Sequence, residues 1–162
     1  MIPLAMWCAC SPGTTPSDGG AGGGAGGGSG TASMCTFTGG KTGSVPCSFQ
    51  SAQWVSAGNR TTIKVGTAMG AATTVSAQFV VTSKPMAVNY SGGMADTECT
   101  IVLNDGTKTW TSDTTMALGA CALNLRSVRA EAMDTFDLHG GFSASLQPDD
   151  GMGSDVTMQS SF

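Results

Sequence analysis

The chain has 162 residues, of which only 11% are charged, and seven basic against eleven acidic side chains give it a formal net charge of −4. This balance argues against a nucleic-acid-binding protein, because such proteins set several Lys or Arg side chains against phosphates. It equally argues against electrostatic attachment to anionic lipid.

The first ten residues, 1–10, are apolar and end in small residues, which is typical of the last part of a secretory signal. They resemble a bacterial lipoprotein signal whose front part is missing, since such signals end in a small residue before a lipidated cysteine. Ala9 precedes Cys10, whereas the bulky Trp7 precedes Cys8, so Cys10 is the predicted lipidation site. A cysteine pair without a role, or a disulfide to the rest of the chain, is the alternative.

Residues 11–34 predict a disordered tether, because within residues 19–30 only three positions are not glycine. Such a segment has no apolar side chains to bury, and glycine loses the most conformational freedom on folding. A flexible coil of this length has a root-mean-square span of roughly 27 Å. No other stretch approaches the roughly 18–20 apolar residues of a membrane-spanning helix. The sequence therefore predicts that only the lipid anchor contacts a membrane.

Residues 35–162 have the length of a single domain and show strand patterns from the start. The first long run alternates so that Phe49 and Val55 share one face, while Trp54 lies on the other. The cleanest run, residues 73–82, places four apolar side chains on one face, namely Val75, Ala77, Phe79 and Val81.

The strongest local pattern is a hairpin over residues 96–111, in which Asp105 and Gly106 supply the turn. Further on, only residues 126–132 allow a helical turn. Many short strands at turn spacing, without a convincing helix, predict an all-β fold. We expect an antiparallel β-sandwich, with a β-barrel as the alternative.

Four cysteines lie in this domain, and an even number in an exported chain predicts two disulfides with three possible pairings. Pairing Cys35 with Cys47 and Cys99 with Cys121 is favoured, because each pair brackets a hairpin. Each bond would stabilise the fold by roughly 3 kcal/mol. A zinc site is the competing interpretation, but no Cys-x-x-Cys occurs and His139 is the only histidine. No metal or cofactor is predicted.

The last two strand patterns, residues 139–146 and 156–162, carry the motif G-x-F-x-A-x-L followed by V-x-x-x-x-x-F. This pair resembles the closing hairpin of small bacterial lipoprotein β-domains. With the glycine-rich tether, the chain is similar to such lipoproteins of myxobacteria. The resemblance implies a β-fold and a place in the cell envelope, at the outer membrane or cell surface, and it implies no catalytic residues.

One constellation has the residue types of a hydrolase. Asp137, His139 and Ser143 lie on one face of a strand by parity, and a hydrolytic triad needs a nucleophile, a base and an orienting carboxylate. Such a coincidence arises easily in a Ser-rich chain, so the sequence predicts no enzyme.

A carboxylate group after this strand, Asp149 and Asp150 with Asp155, offers oxygen ligands for Ca²⁺. The spacing differs from that of an EF-hand loop. Asp-Asp-Gly is also common turn chemistry, so a turn is the favoured interpretation.

Three aromatic residues, Trp110, Trp54 and Tyr90, are the candidates for a ligand-binding surface, because the apolar face of a sugar stacks on a flat ring. Trp110 lies among threonines on the Asp-Gly hairpin, which suits an exposed polar sheet. The alternative is that both tryptophans close the core.

The sequence thus favours a non-enzymatic, lipid-anchored envelope module that binds a glycan or another envelope protein. The first alternative is an inhibitor of exported hydrolases, which would present residues 39–45 inside the Cys35–Cys47 loop. The second alternative is a hydrolase centred on His139.

Overall fold

The computed structural model describes residues 33–162, which form ten β-strands and one short 3-10 turn at Ser56–Gly58. The strands are β1 (Ser33–Gly39), β2 (Gly43–Val55), β3 (Arg60–Gly66), β4 (Thr74–Val81), β5 (Asn89–Ser91), β6 (Thr97–Asn104), β7 (Thr109–Asp113), β8 (Ala120–Ala132), β9 (Thr135–Pro148) and β10 (Val156–Ser161). Residues 33–162 contain no helix long and apolar enough to cross a membrane. The predicted anchor at Cys10 and nearly all of the predicted tether lie outside the described residues.

All ten strands pair in one antiparallel sheet, in the order β10-β1-β2-β3-β4-β6-β7-β9-β8-β5, with further pairings of β9 to β10 and to β2. Because β9 pairs with both β7 and β10, eight strands form a closed circuit, and β8 and β5 extend the sheet beyond it. Opposite walls of the circuit pack directly, since the rings of Phe79 in β4 and Phe142 in β9 lie 5.6 Å apart. The predicted all-β antiparallel fold is confirmed, and the two layers of the expected sandwich are joined into one sheet.

The core consists of side chains that alternate along the strands. The four apolar residues predicted to share a face of β4 are all buried: Val75, Ala77, Phe79 and Val81. They meet the buried residues of neighbouring strands, among them Ile63 of β3 and Ile101 of β6. The period of two read from the sequence therefore holds where strand pairing is regular.

In β2 the alternation changes phase at a β-bulge, where the pairing with β3 shifts between Phe49 and Ser51. Beyond it Ala52 is buried, Trp54 packs against the core, and Val55 is 51% exposed. The prediction that Phe49 and Val55 share a face opposite to Trp54 is wrong, because one inserted residue reverses the faces of everything after it.

Residues 126–132 belong to β8, so the predicted helical turn is wrong. Their backbone pairs with β9, with Ser127 opposite His139 and Val128 opposite Leu138, and this pairing overrides local helix preference. Two further bulges interrupt the pairing, between Leu125 and Ser127 and between Ala130 and Ala132. On its other edge β8 pairs with β5 only over residues 122–124, and no strand of the described chain covers residues 126–132.

Two disulfides brace the sheet and join the cysteines as predicted. Cys35 and Cys47, in β1 and β2, have Cα atoms 5.5 Å apart, and Cys99 and Cys121 have Cα atoms 6.7 Å apart. The second bond connects β6 to β8, two strands that are not neighbours in the sheet. Disulfides of this kind are typical of an oxidising, extracytoplasmic compartment.

Candidate functional site

Trp110 lies in the core rather than on the surface. Its side chain is only 4% exposed, and its indole Nε1 donates a hydrogen bond to the Ser154 carbonyl oxygen at 3.3 Å. The ammonium of Lys108 covers the ring at 5.8 Å from its centroid. The expectation of an exposed ring is wrong, because alternation in β7 turns Trp110 inward and leaves Thr109 and Thr111 on the outer face.

The other two candidate aromatic residues, Tyr90 and Trp54, also contact neighbouring side chains or backbone. Tyr90 is 6% exposed, and its hydroxyl accepts a hydrogen bond from the Met86 amide at 2.9 Å. Trp54 is half-buried, and the Lys84 ammonium lies 4.4 Å from its ring centroid. The predicted exposed aromatic surface is therefore wrong at Tyr90, which is buried, whereas at Trp54 the Lys84 ammonium lies over the ring.

His139 lies on the surface, away from Ser143. Its side chain is 57% exposed, and Nε2 is 3.7 Å from a carboxylate oxygen of Asp137. Ser143 follows four residues later on the same strand, which separates the two positions by roughly 13 Å. A serine and its general base must lie within about 3 Å of each other, so these three residues do not form a hydrolytic triad.

The acidic residues after β9 form a turn tied to its surroundings. The Asp150 carboxylate accepts a hydrogen bond from the Met152 amide at 2.9 Å and lies 3.2 Å from the Lys108 ammonium. Both contacts, the Met152 amide first, lower the pKa of Asp150. Within residues 33–162, no three His, Cys, Asp or Glu side chains converge on a point where a metal could bind.

A second ion pair fixes the β1–β2 loop to the β6–β7 loop. The Lys41 ammonium lies 2.9 Å from the Asp105 carboxylate, which also accepts hydrogen bonds from Thr107 and from the Lys108 amide. These donors, Lys41 foremost, hold the pKa of Asp105 well below its usual range. The predicted hairpin is present with a four-residue connection, since Asn104 pairs with Thr109.

An extended depression on the outer surface of the described residues lies over β5, β8, β9 and β10. Two shallow concavities of about 430 and 510 Å³ adjoin there and share Arg126 and Ser161. We call this depression the groove. The side chains that define it are Asn89, Asn124, Arg126, His139, Ser143, Gln159 and Ser161, and its floor is Gly140 and Gly141.

Strand register brings the groove together from distant parts of the chain. One row runs from Asn89 through Asn124 and Gly141 to Ser161, each opposite the next on neighbouring strands. A parallel row runs through positions 91, 122, 143 and 159. With strands about 4.8 Å apart, four strands give the groove a length of roughly 14 Å.

The glycine pair brings the strands close together, and Gly141, whose position faces outward in β9, leaves the depression without a side chain, whereas Gly140 faces the core. A Cβ on Gly140 would overlap the Asn124 carbonyl oxygen, and a Cβ on Gly141 would overlap that of Ser160. The strands therefore approach each other more closely than any side-chain-bearing residue allows. The outer surface at this point is bare backbone, over which a ligand can lie.

The polar side chains that line the groove are mainly amides and hydroxyls. Its lining contains no Asp, Glu or Lys, and Arg126 is its only permanently charged group. Arg126 forms no ion pair with any residue of the described chain. The Asn124 amide donates a hydrogen bond to the Asn89 side chain, which orients both groups. Such a surface can hold a polar, uncharged ligand by hydrogen bonds.

Sequence reasoning missed the groove, because its members are far apart in the chain. The signal that was available is the Gly140-Gly141 pair inside a strand, since glycine in a strand interior often marks a close approach of backbone or ligand. Comparison with known proteins identifies no relative: no family model, curated protein or solved structure matches this chain.

Proposed function

We propose that the protein is a non-enzymatic, extracytoplasmic binding module whose groove holds an uncharged polysaccharide. The observation that carries this proposal is an open groove whose polar side chains are mainly amides and hydroxyls, beside Arg126 and His139, without a single carboxylate. Sugar hydroxyls both donate and accept hydrogen bonds, and Asn, Gln and Ser side chains do the same. The length of the groove, roughly 14 Å, suits a short stretch of a longer chain.

The affinity of one groove for one chain is expected to be low. Tyr90 and Trp110 are buried, and the Phe162 ring at the end of the groove stacks on Phe49, so hydrogen bonds that replace those to water supply most of the binding energy. A dissociation constant of about 1 mM or weaker follows for a single site. Many copies on one surface would bind a repeating polymer far more tightly, because each further contact is intramolecular.

We propose further that the chain is anchored in the outer membrane or at the cell surface by lipid on Cys10. Support comes from the signal-like residues 1–10, the glycine-rich residues 11–34 and the two disulfides. Intact mass of the protein from a membrane fraction tests this anchor. A diacyl- or triacylglyceryl adduct that disappears in Cys10→Ala is expected, and an unmodified chain in the cytosol would refute it.

The groove is tested by affinity electrophoresis in gels that contain neutral or uronic-acid polysaccharides. The double variant Asn124→Ala/Gln159→Ala removes one amide from each of two rows and should lose retardation by a neutral polymer. Its matched control is Gln53→Ala/Gln78→Ala, which removes two exposed amides from β2 and β4. Equal retardation of the groove variant and wild type would refute the proposal, as would equal loss in the control.

A second function, inhibition of an exported hydrolase, is favoured by one observation. Residues 39–45 are exposed except for the half-buried Lys41 and Val45, and the Cys35–Cys47 bond brackets them. The loop is held in place, since the Gly40 amide donates to the Asp155 carbonyl oxygen at 2.8 Å. Inhibition of at least one enzyme in a panel of exported proteases, weakened by Lys41→Ala, is expected for this function. A panel without inhibition would eliminate it.

A further inference from the structure

Methionine is distributed on this protein in an unusual way. The described residues contain eight methionines, and Met158 alone is fully buried. The other seven have exposed fractions from 41% to 103%, namely Met34, Met69, Met86, Met94, Met116, Met133 and Met152. Because methionine is among the residues most often found in protein interiors, seven exposed methionines call for an explanation.

Six of the seven lie in connections between strands, one in each. The connections after β3, β4, β5, β7, β8 and β9 hold Met69, Met86, Met94, Met116, Met133 and Met152 in that order. We call these six the loop methionines. Turns normally favour Gly, Asn, Asp, Ser and Pro, so an exposed thioether in six of the nine connections between the described strands is not explained by turn formation.

The loop methionines do not form one contact surface. Met152 lies beside Lys108 and the β6–β7 loop, since the Lys108 ammonium contacts the Met152 carbonyl oxygen. Met133 lies at the opposite end of the sheet, in the turn whose Asp134 carbonyl accepts a hydrogen bond from Trp54. One flat partner therefore cannot cover both, and an explanation must apply to each side chain separately.

We propose that the loop methionines are oxidised by peroxides to methionine sulfoxide, and that the protein thereby consumes oxidant at the cell surface. The sulfur lone pair attacks one peroxide oxygen, the O–O bond breaks and an S–O bond forms. Sulfur loses two electrons, the peroxide is reduced, and a proton transfer releases water from hydrogen peroxide. Reductases specific for methionine sulfoxide reverse this oxidation. The proposal is independent of the groove and of its ligand.

The fold suits such a role, because oxidation of the loop methionines leaves the core undisturbed. Sulfoxide formation makes an apolar side chain polar, which disrupts a core but not an exposed loop. Met158, the only core methionine among residues 33–162, is 0% exposed and thus shielded from peroxide. All four cysteines of the described chain are already in disulfides, so no free thiol of residues 33–162 competes for oxidant.

The first test treats the folded full-length protein with hydrogen peroxide and follows each methionine by peptide mass mapping. The loop methionines should react at rates within about threefold of free methionine, and Met158 at least about tenfold more slowly. The melting temperature should stay the same after the loop methionines are fully oxidised. Slow reaction of most loop methionines, or loss of the cooperative unfolding transition on oxidation, would overturn the proposal.

The second test measures how far the protein protects a methionine-containing reporter peptide from peroxide in the same solution. A variant with all six loop methionines changed to Leu keeps the apolar surface and cannot be oxidised there. It should consume six fewer equivalents of peroxide and lose most of the protection, whereas Met158→Leu should protect as wild type does. A sixfold Met→Gln variant serves if the Leu variant aggregates. Undiminished protection by the sixfold variant would refute the oxidant-consuming role.

Discussion

The sheet has two walls that share one core and differ on the outside. The charged wall, β3, β4, β6 and β7, pairs without a bulge and points Arg60, Lys64, Glu98 and Asp113 outward. The groove wall, β8, β9 and β10, contains two bulges and a glycine pair. Its outer polar side chains at the groove are mainly amides and hydroxyls beside Arg126 and His139, and its remaining charges, such as Arg129 and Glu131, lie toward the far end of β8. Yet β9 buries alternate residues as regularly as β4 does, since every second residue from Phe136 to Leu146 faces the core. Because alternate residues face opposite sides, the outer face of a strand can lose its side chains without loss to the core.

The largest loss of stability should come from the charged wall. Trp110→Ala removes a 4% exposed indole from β7 and should lower the free energy of unfolding by about 3–5 kcal/mol. Ser143→Ala, at an exposed position of the groove wall, should change it by less than about 0.5 kcal/mol. Urea denaturation of both variants gives the two values. A loss below about 1 kcal/mol for Trp110→Ala would show that the ring is exposed in solution.

The second largest effect on the free energy of unfolding should come from the disulfide that joins the two walls, Cys99–Cys121. Cys99 and Cys121 are 22 residues apart, and replacing both with Ala should cost about 3 kcal/mol. Cys35 and Cys47, in the neighbouring strands β1 and β2, are 12 residues apart, and loop-closure entropy makes their bond weaker by about 0.5 kcal/mol. Denaturation of the two double variants under oxidising conditions compares them. The reverse order would mean that strain, rather than loop length, sets the contribution of each bond.

A smaller effect is expected from the floor of the groove. Gly141→Ala places a Cβ against the Ser160 carbonyl oxygen and should cost about 1–3 kcal/mol by forcing β9 and β10 apart. Gly58→Ala is the matched control, because the nearest atom to its Cβ would be 3.9 Å away. Thermal unfolding of both variants tests this difference. Equal melting temperatures would mean that the strands separate freely and that the floor is not tight.

The smallest expected change in stability comes from Asp105 in the β6–β7 loop, and it depends on pH. The lowered pKa of Asp105 means that the folded state favours its ionised form, through Lys41, Thr107 and Lys108. This contribution is complete above the unfolded pKa of about 3.9 and is lost as pH falls toward the folded value. Asp105→Asn should therefore lower the melting temperature at pH 7, and the difference from wild type should shrink below pH of about 4. Denaturation at a series of pH values below about 4 follows this trend, and a difference from wild type that stays constant over that series would assign the effect to the turn geometry instead.

What could be predicted from the sequence follows the regularity of pairing. The buried face of β4 was predictable because no bulge interrupts it, and so was the pairing of Cys35 with Cys47, which brackets a hairpin. The faces of Trp54 and Val55 could not be predicted, because the residue types around the bulge after Phe49 do not indicate that a bulge is present.

Long-range pairing accounts for the other differences. Residues 126–132 have local helix preference, and only their contact with β9 makes them a strand. Trp110 lies between threonines, which suit an exposed sheet and a half-buried one equally. The groove depends on the register of four strands, which places Asn89 and Ser161 in one row although 72 positions separate them. No local pattern contains that information.

The uncovered edge of β8 bears on how this protein behaves at high density. A long, flat and apolar strand edge recruits strands from other molecules and grows into fibrils. Over residues 126–132 the edge instead carries two bulges, together with Arg126, Arg129 and Glu131. Bulges turn the backbone N–H and C=O groups out of line, and the charges resist burial beneath an added strand. Crowded copies can thus remain separate molecules although each has an open end to its sheet.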